Sequence, residues 1–585
     1  MDNKYYTDER NVQIVISLLK AHGVRKIITS PGTTNITFVG SLQQDPFFEL
    51  YSSVDERSAA YIACGLSAES GEPVALSCTG ATASRNYYSG LTEAYYRKLP
   101  IVAITSHQGN NRIGHLIAQN IDRRKLPNDI VKISVEAPIV RCAADEEYCT
   151  IEVNKALLEL KHRGGGPVHI NLFTTYSRDF NVRILPPVRV IHRYTQNDEL
   201  PELPEGRIGI FVGSHLKFSD RLNLAIDKFC ASRNAVVFCD HTSGYNGKYK
   251  AQMALVLSQQ KYNTSNNLVN LVIHMGEVTG DYYGAGIKGN QVWRVNEDGE
   301  LRDTYGKLTK VFEMPEHVFF EHYACDAIVE SSFLESCTTE YAEILSKFPE
   351  IPFGNLWIAK TIAPRIPEGA VLHFGILNSL RSWDMFTTGQ SIFGYSNVGG
   401  FGIDGCVSSL IGASLVNKNR LYFGVVGDLA FFYDMNSIGN RHIGNNIRLL
   451  IINNGKGGEF RNYRHPGSEF GEDAEPFMAA AGHYGNKSAT LVKNYVESLG
   501  FRYLAANNKE ELLDVVDEFL NPNMCNQSIV LECFVTSEDD CEALKNASNY
   551  MVNSMGWLRN NTKTAVKEVF GNKGVDKLRS ILKNG

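Results

Sequence analysis

Short apolar segments alternate with amphipathic stretches along the first 180 residues of the chain. Residues 11–21 carry apolar side chains at helical spacing, whereas residues 74–78 and 101–105 are continuous apolar runs of the length typical of buried strands. This alternation predicts an open, mostly parallel sheet flanked by helices. The polar turn at 30–35 follows a predicted strand, and ligands bind at such strand ends in parallel sheets.

The alternation of strand and helix patterns restarts after each of two proline-rich segments. We therefore predict an α/β fold with three domains, each a mostly parallel sheet flanked by helices. The predicted division is residues 1–184, a linker at 185–206, a Rossmann-like middle domain at 207–345, a third domain at 346–540 and a basic helical C-terminal tail at 541–585. For the tail we expect packed amphipathic helices, with attachment to a membrane surface as the alternative.

Composition excludes several classes of protein. The 585 residues carry a formal net charge of −6, so the chain has no overall basic field for nucleic acid. Its longest apolar runs are far shorter than the roughly 18 residues that a transmembrane helix needs. The amino terminus is polar and charged, unlike a signal peptide. The twelve cysteines are scattered without metal-binding spacing, which indicates a reducing compartment, and we expect a cytoplasmic protein.

The segment 427–463 carries the clearest candidate chemistry. An apolar run ends at Gly427-Asp428, and a second apolar run ends in the turn Asn453-Asn454-Gly455. Parallel strands that end side by side would present carboxylate, amide and carbonyl oxygens together, which are the ligands that Mg²⁺ prefers. An ordinary βαβ unit, with the Asp and Asn side chains serving turns, is the alternative.

The same segment resembles the metal and diphosphate motif of thiamine-diphosphate enzymes, which begins with Gly-Asp and ends with Asn-Asn. The resemblance implies thiamine diphosphate and Mg²⁺ as cofactors, with Asp428, Asn454 and the carbonyl of Lys456 as metal ligands. It also implies that Gly427 and Leu429 contact the cofactor, although many such enzymes have Gly where this chain has Leu429.

Four segments make the resemblance more specific: 55–60, 166–171, 396–405 and the Gly-Asp-Leu variant at 427–429. Together they are similar to one subgroup of thiamine-diphosphate decarboxylases and carboligases, the menaquinone-pathway 2-succinyl-5-enolpyruvyl-6-hydroxy-3-cyclohexene-1-carboxylate synthases. The resemblance implies that the first predicted domain binds the pyrimidine of the cofactor and the third binds its diphosphate.

By this resemblance, Glu56 is the catalytic carboxyl that exchanges a proton with the cofactor pyrimidine, and Gln119 reaches the active site from the first domain. Ile403 would separate the two cofactor rings, and Ser379 would lie near the cofactor. Plainer interpretations remain open, because an acid also suits a helix start and Ile403 also suits a core. In this family Glu56 and the diphosphate site belong to opposite subunits, which implies a homodimer or homotetramer with active sites at the subunit interface.

Departures from the subgroup concern substrate binding. That subgroup holds two anionic substrates with arginines, which pair bidentately with carboxylates. This chain has Thr34, Val398 and Trp383 at three such arginine positions, and Asp281 where a lysine is expected. Unpaired carboxylates would be costly to bury, so isochorismate and 2-oxoglutarate are doubtful substrates.

The loop at 456–465, which we call the polar loop, could bind the substrate in place of the missing arginines. The competing interpretation is that it is a solvated surface loop. The predicted substrate contacts are Thr34, His107, Arg381, Trp383, Arg461 and His465.

We therefore predict an enzyme that decarboxylates a small-molecule 2-oxo acid with thiamine diphosphate and Mg²⁺. It would transfer the acyl carbanion to a polar, sugar-like carbonyl acceptor. A thiamine-diphosphate lyase or hydrolase that cleaves a C–C bond without releasing CO₂ is the alternative within the class. Outside the class, a nucleotide-binding oxidoreductase is disfavoured by the missing Gly-x-Gly-x-x-Gly fingerprint after the first strand of the middle domain. A catalytically silent binding protein is disfavoured by the retention of Glu56, Asp428 and Asn454.

Overall fold

The computed structural model describes residues 5–483 and 487–553. They fall into two compact units. The first comprises the chain up to Tyr194 together with Glu300–Val311, and the second comprises Thr195–Gly299 and the chain from Phe312 onward.

The first unit contains a six-stranded sheet, ordered β2-β1-β3-β4-β6-β5, in which all neighbouring strands are parallel. Its strands are β1 (Lys26–Thr29), β2 (Glu49–Ser52), β3 (Val74–Thr79), β4 (Ile101–His107), β5 (Ser134–Ala137) and β6 (Val168–Phe173). Its helices are α1 (Arg10–Ala21), α2 (Ile36–Leu42), α3 (Glu56–Ser70), α4 (Ala81–Asn86), α5 (Tyr88–Tyr96) and α6 (Ala143–Glu159).

Helices cover both faces of this sheet. Val102 belongs to the core shared with α1 and α6, and the next residue, Ala103, belongs to the core shared with α3 and α5, as alternation along a strand requires. Helix α3 approaches α5 closely, because a side chain at Gly90 would lie 2.4 Å from the Ala60 Cβ. Small residues at this contact fix the position of α3, whose first residue is Glu56.

The second unit contains two sheets. The first has the parallel strand order β10-β9-β8-β11-β12. These strands are β8 (Ile208–Val212), β9 (Val236–Cys239), β10 (Lys250–Ala251), β11 (Leu268–Met275) and β12 (Lys288–Val295). The helices around them are α7 (Asp220–Arg233), α8 (Ala254–Ser258), α9 (Glu316–Tyr323) and α10 (Ser332–Ser346). Two further strands, β7 (His192–Thr195) and β13 (Leu308–Glu313), stand where the chain passes between the units.

The other sheet of the second unit has six parallel strands in the order β15-β14-β16-β17-β19-β18. Its strands are β14 (Val371–Phe374), β15 (Phe393–Ser396), β16 (Tyr422–Gly427), β17 (Ile447–Asn453), β18 (Arg502–Ala506) and β19 (Ile529–Phe534). Its helices are α11 (Asn355–Ile362), α12 (Asn378–Trp383), α13 (Cys406–Ser414), α14 (Asp428–Asp434), α15 (Leu491–Ser498), α16 (Lys509–Phe519) and α17 (Ser537–Ala547).

The α/β architecture of three mostly parallel sheets flanked by helices is confirmed. The domain boundaries stay a prediction, although the segment interpreted as a linker, 185–206, contains the strand β7. This strand is only four residues long and mixes polar with aromatic side chains, so its pattern carries no clear period. Within the tail at 541–585, the first residues belong to α17, and residues from 554 onward lie outside the described part of the chain.

Among residues 5–483 and 487–553, no helix is both long and apolar enough to cross a membrane. The same residues contain no cluster of three or more His, Cys, Asp or Glu side chains that could hold a metal ion.

Candidate active site

The strand order of the third sheet reverses direction between β14 and β16, which lie side by side. Parallel sheets bind ligands at the carboxyl ends of strands at such a reversal. Helix α12 follows β14 there, α14 follows β16, and the turn of Asn453 and Asn454 follows β17, the next strand in the sheet. The predicted ligand segments therefore meet at one edge.

Asp428 is the first residue of α14 and is buried, with 3 % of its surface exposed. The pKa of its carboxyl is raised to about 7, chiefly by burial and in small part by the nearby Glu532, against the lowering effect of the backbone N–H groups of Leu429 and Gly455. Asp428 forms no ion pair with a Lys, Arg or His of the described residues. Its ionised form therefore lacks a positive partner within this part of the chain.

The turn after β17 is held by side chains on both sides. The Asn453 carboxamide donates to Glu532 over 2.7 Å and accepts from the Gly455 N–H over 3.1 Å. Gly455 has a φ of +72°, a conformation that favours glycine. The Asn454 Oδ1 accepts from the Lys456 N–H over 3.2 Å, and the Lys456 ammonium pairs with Glu475 over 2.7 Å. The Asn454 amide oxygen and the Lys456 carbonyl thus belong to a fixed turn beside Asp428.

A hydrogen-bond chain leads from this turn to α12. The Asn454 carboxamide donates to Asp540 on α17 over 3.3 Å, and Asp540 accepts from the Asn355 N–H over 2.7 Å. The Asn355 side chain donates to the Asn378 carbonyl over 2.9 Å. With its carboxamide turned, Asn378 donates to Glu459 over 2.7 Å. Desolvation raises the pKa of Asp540 to about 6. Neither Asp540 nor Asn355 is prominent in the sequence, because each lies far along the chain from the residue it contacts.

Glu459 also pairs with Arg381 of α12 over 2.8 Å. The Arg381 guanidinium lies 3.7 Å from the centre of the Tyr282 ring and donates to the Gly280 carbonyl over 3.3 Å. The predicted substrate residue Arg381 is thus buried in an ion pair, with 7 % of its surface exposed.

A cavity of about 440 Å³ opens between this ion pair and the polar loop, and we call it the loop cavity. Its size is within the range of small-molecule sites. The side chains that define its chemistry are Tyr282, Arg381, Glu459, Asn462, Arg464 and His465. The polar loop therefore lines a concave site as well as a solvent surface.

Other predicted residues of the second unit have different surroundings. Arg461 lies near two carboxylates, Glu475 at 3.8 Å and Glu538 at 3.5 Å, so its charge is compensated. Ser379 is buried on α12, and Ile403 is half-buried against the core around α13 and α14.

Trp383 is fully buried and packs against Phe374 with ring centres 5.5 Å apart. Trp383 has no exposed surface in this structure, and its role as a substrate contact stays a prediction.

In the first unit, Glu56 begins α3 and is half-exposed. The preceding Asp55 caps the helix by accepting from the Ser58 N–H over 3.1 Å, and Glu56 accepts from the Asn86 carboxamide over 3.1 Å. Exposed apolar side chains surround it in the sequence, including Val54 (81 % exposed) and Ile62 (50 %). A capped helix end thus holds this carboxylate next to apolar surface.

Three further predicted residues lie in the first unit. Gln119 is exposed and has a φ of +65°. His107 is buried at the end of β4, and burial together with the charge of Arg123 lowers its pKa to about 3, so the ring is neutral. The Thr34 hydroxyl donates to the Ser106 carbonyl over 2.6 Å and is buried. Thr34 is thus enclosed and already bonded, and its role as a substrate contact also stays a prediction.

Comparisons with known proteins agree on one family. A family model described as "Thiamine pyrophosphate enzyme, N-terminal TPP binding domain" matches residues 10–126. The chain is 30 % identical over 563 residues to the 2-succinyl-5-enolpyruvyl-6-hydroxy-3-cyclohexene-1-carboxylate synthase of Phocaeicola vulgatus, covering 92 % of this chain and 98 % of that protein. The chain belongs to the thiamine-diphosphate enzyme family. The synthase of the same name from Bacteroides thetaiotaomicron is 29 % identical over 561 residues, covering 92 % and 98 % of the two chains.

Among solved structures, the thiamine diphosphate-dependent 4-hydroxybenzoylformate decarboxylase of Rhodococcus jostii RHA1 matches with a TM-score of 0.38 and 16 % identity, covering 90 % of this chain and 99 % of that one. The predicted family membership is confirmed by the sequence relatives. Enzymes of this family use thiamine diphosphate, typically with Mg²⁺.

The residues at the edge of the third sheet fit such a cofactor. Asp428, the Asn454 amide and the Lys456 carbonyl supply only hard oxygen donors, as Mg²⁺ prefers. A bound cation would provide the positive partner that the buried Asp428 carboxylate lacks. A side chain at Gly427 would meet no atom within 4 Å, so the backbone borders open space there. These residues could therefore hold a metal and a diphosphate.

Proposed function

We propose that this thiamine-diphosphate enzyme decarboxylates a 2-oxo acid and transfers the acyl group to a polar, sugar-like carbonyl acceptor. The observation that carries the proposal is the buried Asp428 carboxylate beside the Asn454 turn, at the strand ends where the sheet order reverses. Asp428, Asn454 and the Lys456 carbonyl would bind Mg²⁺, and Gly427, Leu429, Ser379 and Ile403 would contact the cofactor.

Thiamine diphosphate, when bound, supplies a carbanion at C2 of its thiazolium ring that adds to carbonyl groups. The task of the protein is to bind and orient the reactants and to move protons. Glu56 would exchange a proton with the pyrimidine N1′ through its carboxyl group. Gln119, exposed on a loop of the same unit, would be the second catalytic residue and would reach the active site from this unit.

Glu56 would act across a subunit interface, in a homodimer or homotetramer. The apolar surface near Glu56 supports this, because exposed Val54 and Ile62 would be buried by a second subunit. Burial of the same region would also exclude water from the carboxyl group. A cytoplasmic location stays a prediction.

The substrates would differ from those of the synthases to which the chain is similar. All four positions at which the sequence departs from the subgroup's cationic residues are buried: Thr34, Asp281, Trp383 and Val398. The Asp281 carboxylate accepts from the N–H groups of Tyr283 and Gly284 and is itself acidic. None of these side chains could neutralise a substrate carboxylate.

The test is CO₂ release from a panel of 2-oxo acids, each with thiamine diphosphate and Mg²⁺ present or omitted. Release from one acid that depends on both cofactors would support the proposal, and adding candidate aldoses would then identify the acceptor by product analysis. If C–C cleavage products form without CO₂, the lyase or hydrolase alternative is correct and the decarboxylation proposal is wrong.

A further inference from the structure

A buried hydrogen-bond donor lies within the wall of the loop cavity. The Arg381 Nη1 pairs with Glu459, and its Nε donates to the Gly280 carbonyl. The Arg381 Nη2 has no hydrogen-bond partner among the described residues, although only 7 % of the residue is exposed. A buried guanidinium donor without a partner is costly, and it leaves the wall of the loop cavity rich in hydrogen-bond donors.

A second guanidinium lines the same cavity without a carboxylate partner. Arg464 donates to the Tyr463 hydroxyl over 2.9 Å, the Tyr283 hydroxyl over 3.0 Å and the Ser258 carbonyl over 3.2 Å, all of which are neutral acceptors. No described carboxylate lies within ion-pair distance of it. Its position is nevertheless fixed, because its guanidinium also lies 5.3 Å from the centre of the Tyr283 ring.

The remaining polar groups add to this donor character. The His465 Nδ1 accepts from the Gly467 N–H over 3.0 Å, so the proton of a neutral ring is on Nε2, which can donate. With Arg381, Arg464 and Glu459, the cavity holds two guanidinium groups against one carboxylate. The loop cavity therefore has a formal excess of one positive charge.

We propose that the loop cavity binds the oxyanion group of a hydroxylated acceptor, either a phosphate ester or a carboxylate. Arg464 would pair with the oxyanion, and the His465 Nε2 would donate to its oxygens or to adjacent hydroxyls. The exposed ring of Tyr282, which lies over Arg381, would pack against the apolar face of a sugar ring. The role of this ligand as the acceptor rests on the proposed function, whereas the binding of an oxyanion is argued from the cavity alone.

The cavity also connects to the predicted metal site. Glu459, which holds Arg381, is linked through Asn378, Asn355 and Asp540 to Asn454. In addition, a side chain at Gly458, which precedes the cavity residue Glu459, would lie 2.5 Å from the Asn454 amide nitrogen, so this part of the loop packs closely on the turn. Hydrogen bonds thus link the wall of the loop cavity to the turn that could hold the cofactor.

The test is calorimetric titration of the full-length protein, loaded with thiamine diphosphate and Mg²⁺, with D-glucose 6-phosphate, D-glucuronate and D-glucose. We expect at least one of the two anionic sugars to bind at least about tenfold more tightly than glucose, which is the size of one charge-assisted hydrogen bond. The variant Arg464→Gln should lose this preference, and Arg464→Lys should retain part of it. Arg502→Gln, which removes an exposed arginine paired with Glu518, is the matched control and should bind as the unaltered protein does.

Equal binding of the anionic and neutral sugars, binding of none of the three, or an unchanged preference in Arg464→Gln would overturn the proposal. A comparison of the affinities for glucose 6-phosphate and glucuronate shows whether the site prefers a phosphate ester or a carboxylate. If cofactor-dependent CO₂ release occurs but the anion preference is absent, this inference alone fails. If the preference is present but no 2-oxo acid is decarboxylated, the proposed function alone fails.

Discussion

The carboxylate of Asp540 accepts a hydrogen bond from the Asn454 side chain over 3.3 Å, which ties α17 to the turn that carries two of the predicted metal ligands. Asp540 also accepts from the Asn355 N–H over 2.7 Å, so its own position is fixed from a third segment. Residues that orient metal ligands in this way commonly affect metal affinity.

We therefore expect Asp540→Asn to weaken Mg²⁺-dependent binding of thiamine diphosphate by about tenfold, because one of the two hydrogen bonds must be lost. Calorimetric titration at several Mg²⁺ concentrations measures the change. Asp517→Asn, at an exposed acid paired with Arg365, serves as the control. Unchanged affinity in Asp540→Asn would show that the orientation of Asn454 does not depend on α17.

Removing the Asp428 side chain should weaken metal and cofactor binding together. Asp428→Ala deletes the only carboxylate among the predicted ligands, and we expect a loss of at least about tenfold in each affinity. In EDTA the variant should be no less stable than the unaltered protein, because a buried carboxylate without a cation is itself costly. Identical titration curves for the two proteins would contradict the assignment of the metal site.

A buried acidic cluster predicts how stability depends on pH. Asp384 is fully buried, and its pKa is raised well above the ordinary value by burial and by the carboxylates of Asp240 and Asp281. The native state therefore keeps a proton that the unfolded chain loses near pH 4, and stability falls as the pH rises from about 4 through the raised pKa of the native state.

Asp384→Asn should flatten this dependence. The new carboxamide can still accept from the His241 N–H, which donates to the Asp384 carboxylate over 3.0 Å. At pH 8 we expect the variant to be more stable than the unaltered protein, and at pH 5 we expect a smaller difference. Urea denaturation at the two pH values measures it, with exposed Asp514→Asn as the control. A variant with the same pH dependence as the unaltered protein would refute the argument.

Breaking the Arg381–Glu459 pair should destabilise the second unit. Glu459→Gln leaves a largely buried guanidinium without its carboxylate, and we expect a loss of roughly 3 kcal/mol, seen as a lower urea midpoint. In contrast, Glu518→Gln breaks an exposed pair with Arg502 and should cost at most about 1 kcal/mol. Equal effects of the two substitutions would mean that burial adds nothing to the first pair.

The sequence was sufficient to predict the architecture because each sheet is built from short apolar strands followed by polar turns. The end of β16 at Gly427 and the end of β17 at Asn453 lie within one residue of the predicted positions. Strand β7 was not predicted, because its four residues of mixed polarity do not show the alternation of apolar and polar side chains that indicates a strand.

The contacts around the candidate site were harder to predict. Asp540 meets Asn454 across 86 residues, and Arg464 meets Tyr283 across 181, so no local spacing indicates either contact. The burial of single side chains was equally hard to predict from the sequence. Trp383 and Thr34 match substrate positions in the sequence, but their side chains are buried. The loop cavity could not be predicted because its lining residues come from four separate parts of the chain, 282–283, 378–385, 459–466 and 544.

The most direct test of the account is a comparison of Glu56→Gln with the unaltered protein, using whichever 2-oxo acid releases CO₂. The variant keeps the shape of the side chain but removes its acid, so we expect thiamine diphosphate and Mg²⁺ to bind within about twofold of normal while CO₂ release falls at least about 100-fold. Glu69→Gln, on the exposed end of the same helix, should retain full activity. CO₂ release by Glu56→Gln at the normal rate would contradict the central claim that this carboxyl group carries the proton in the reaction.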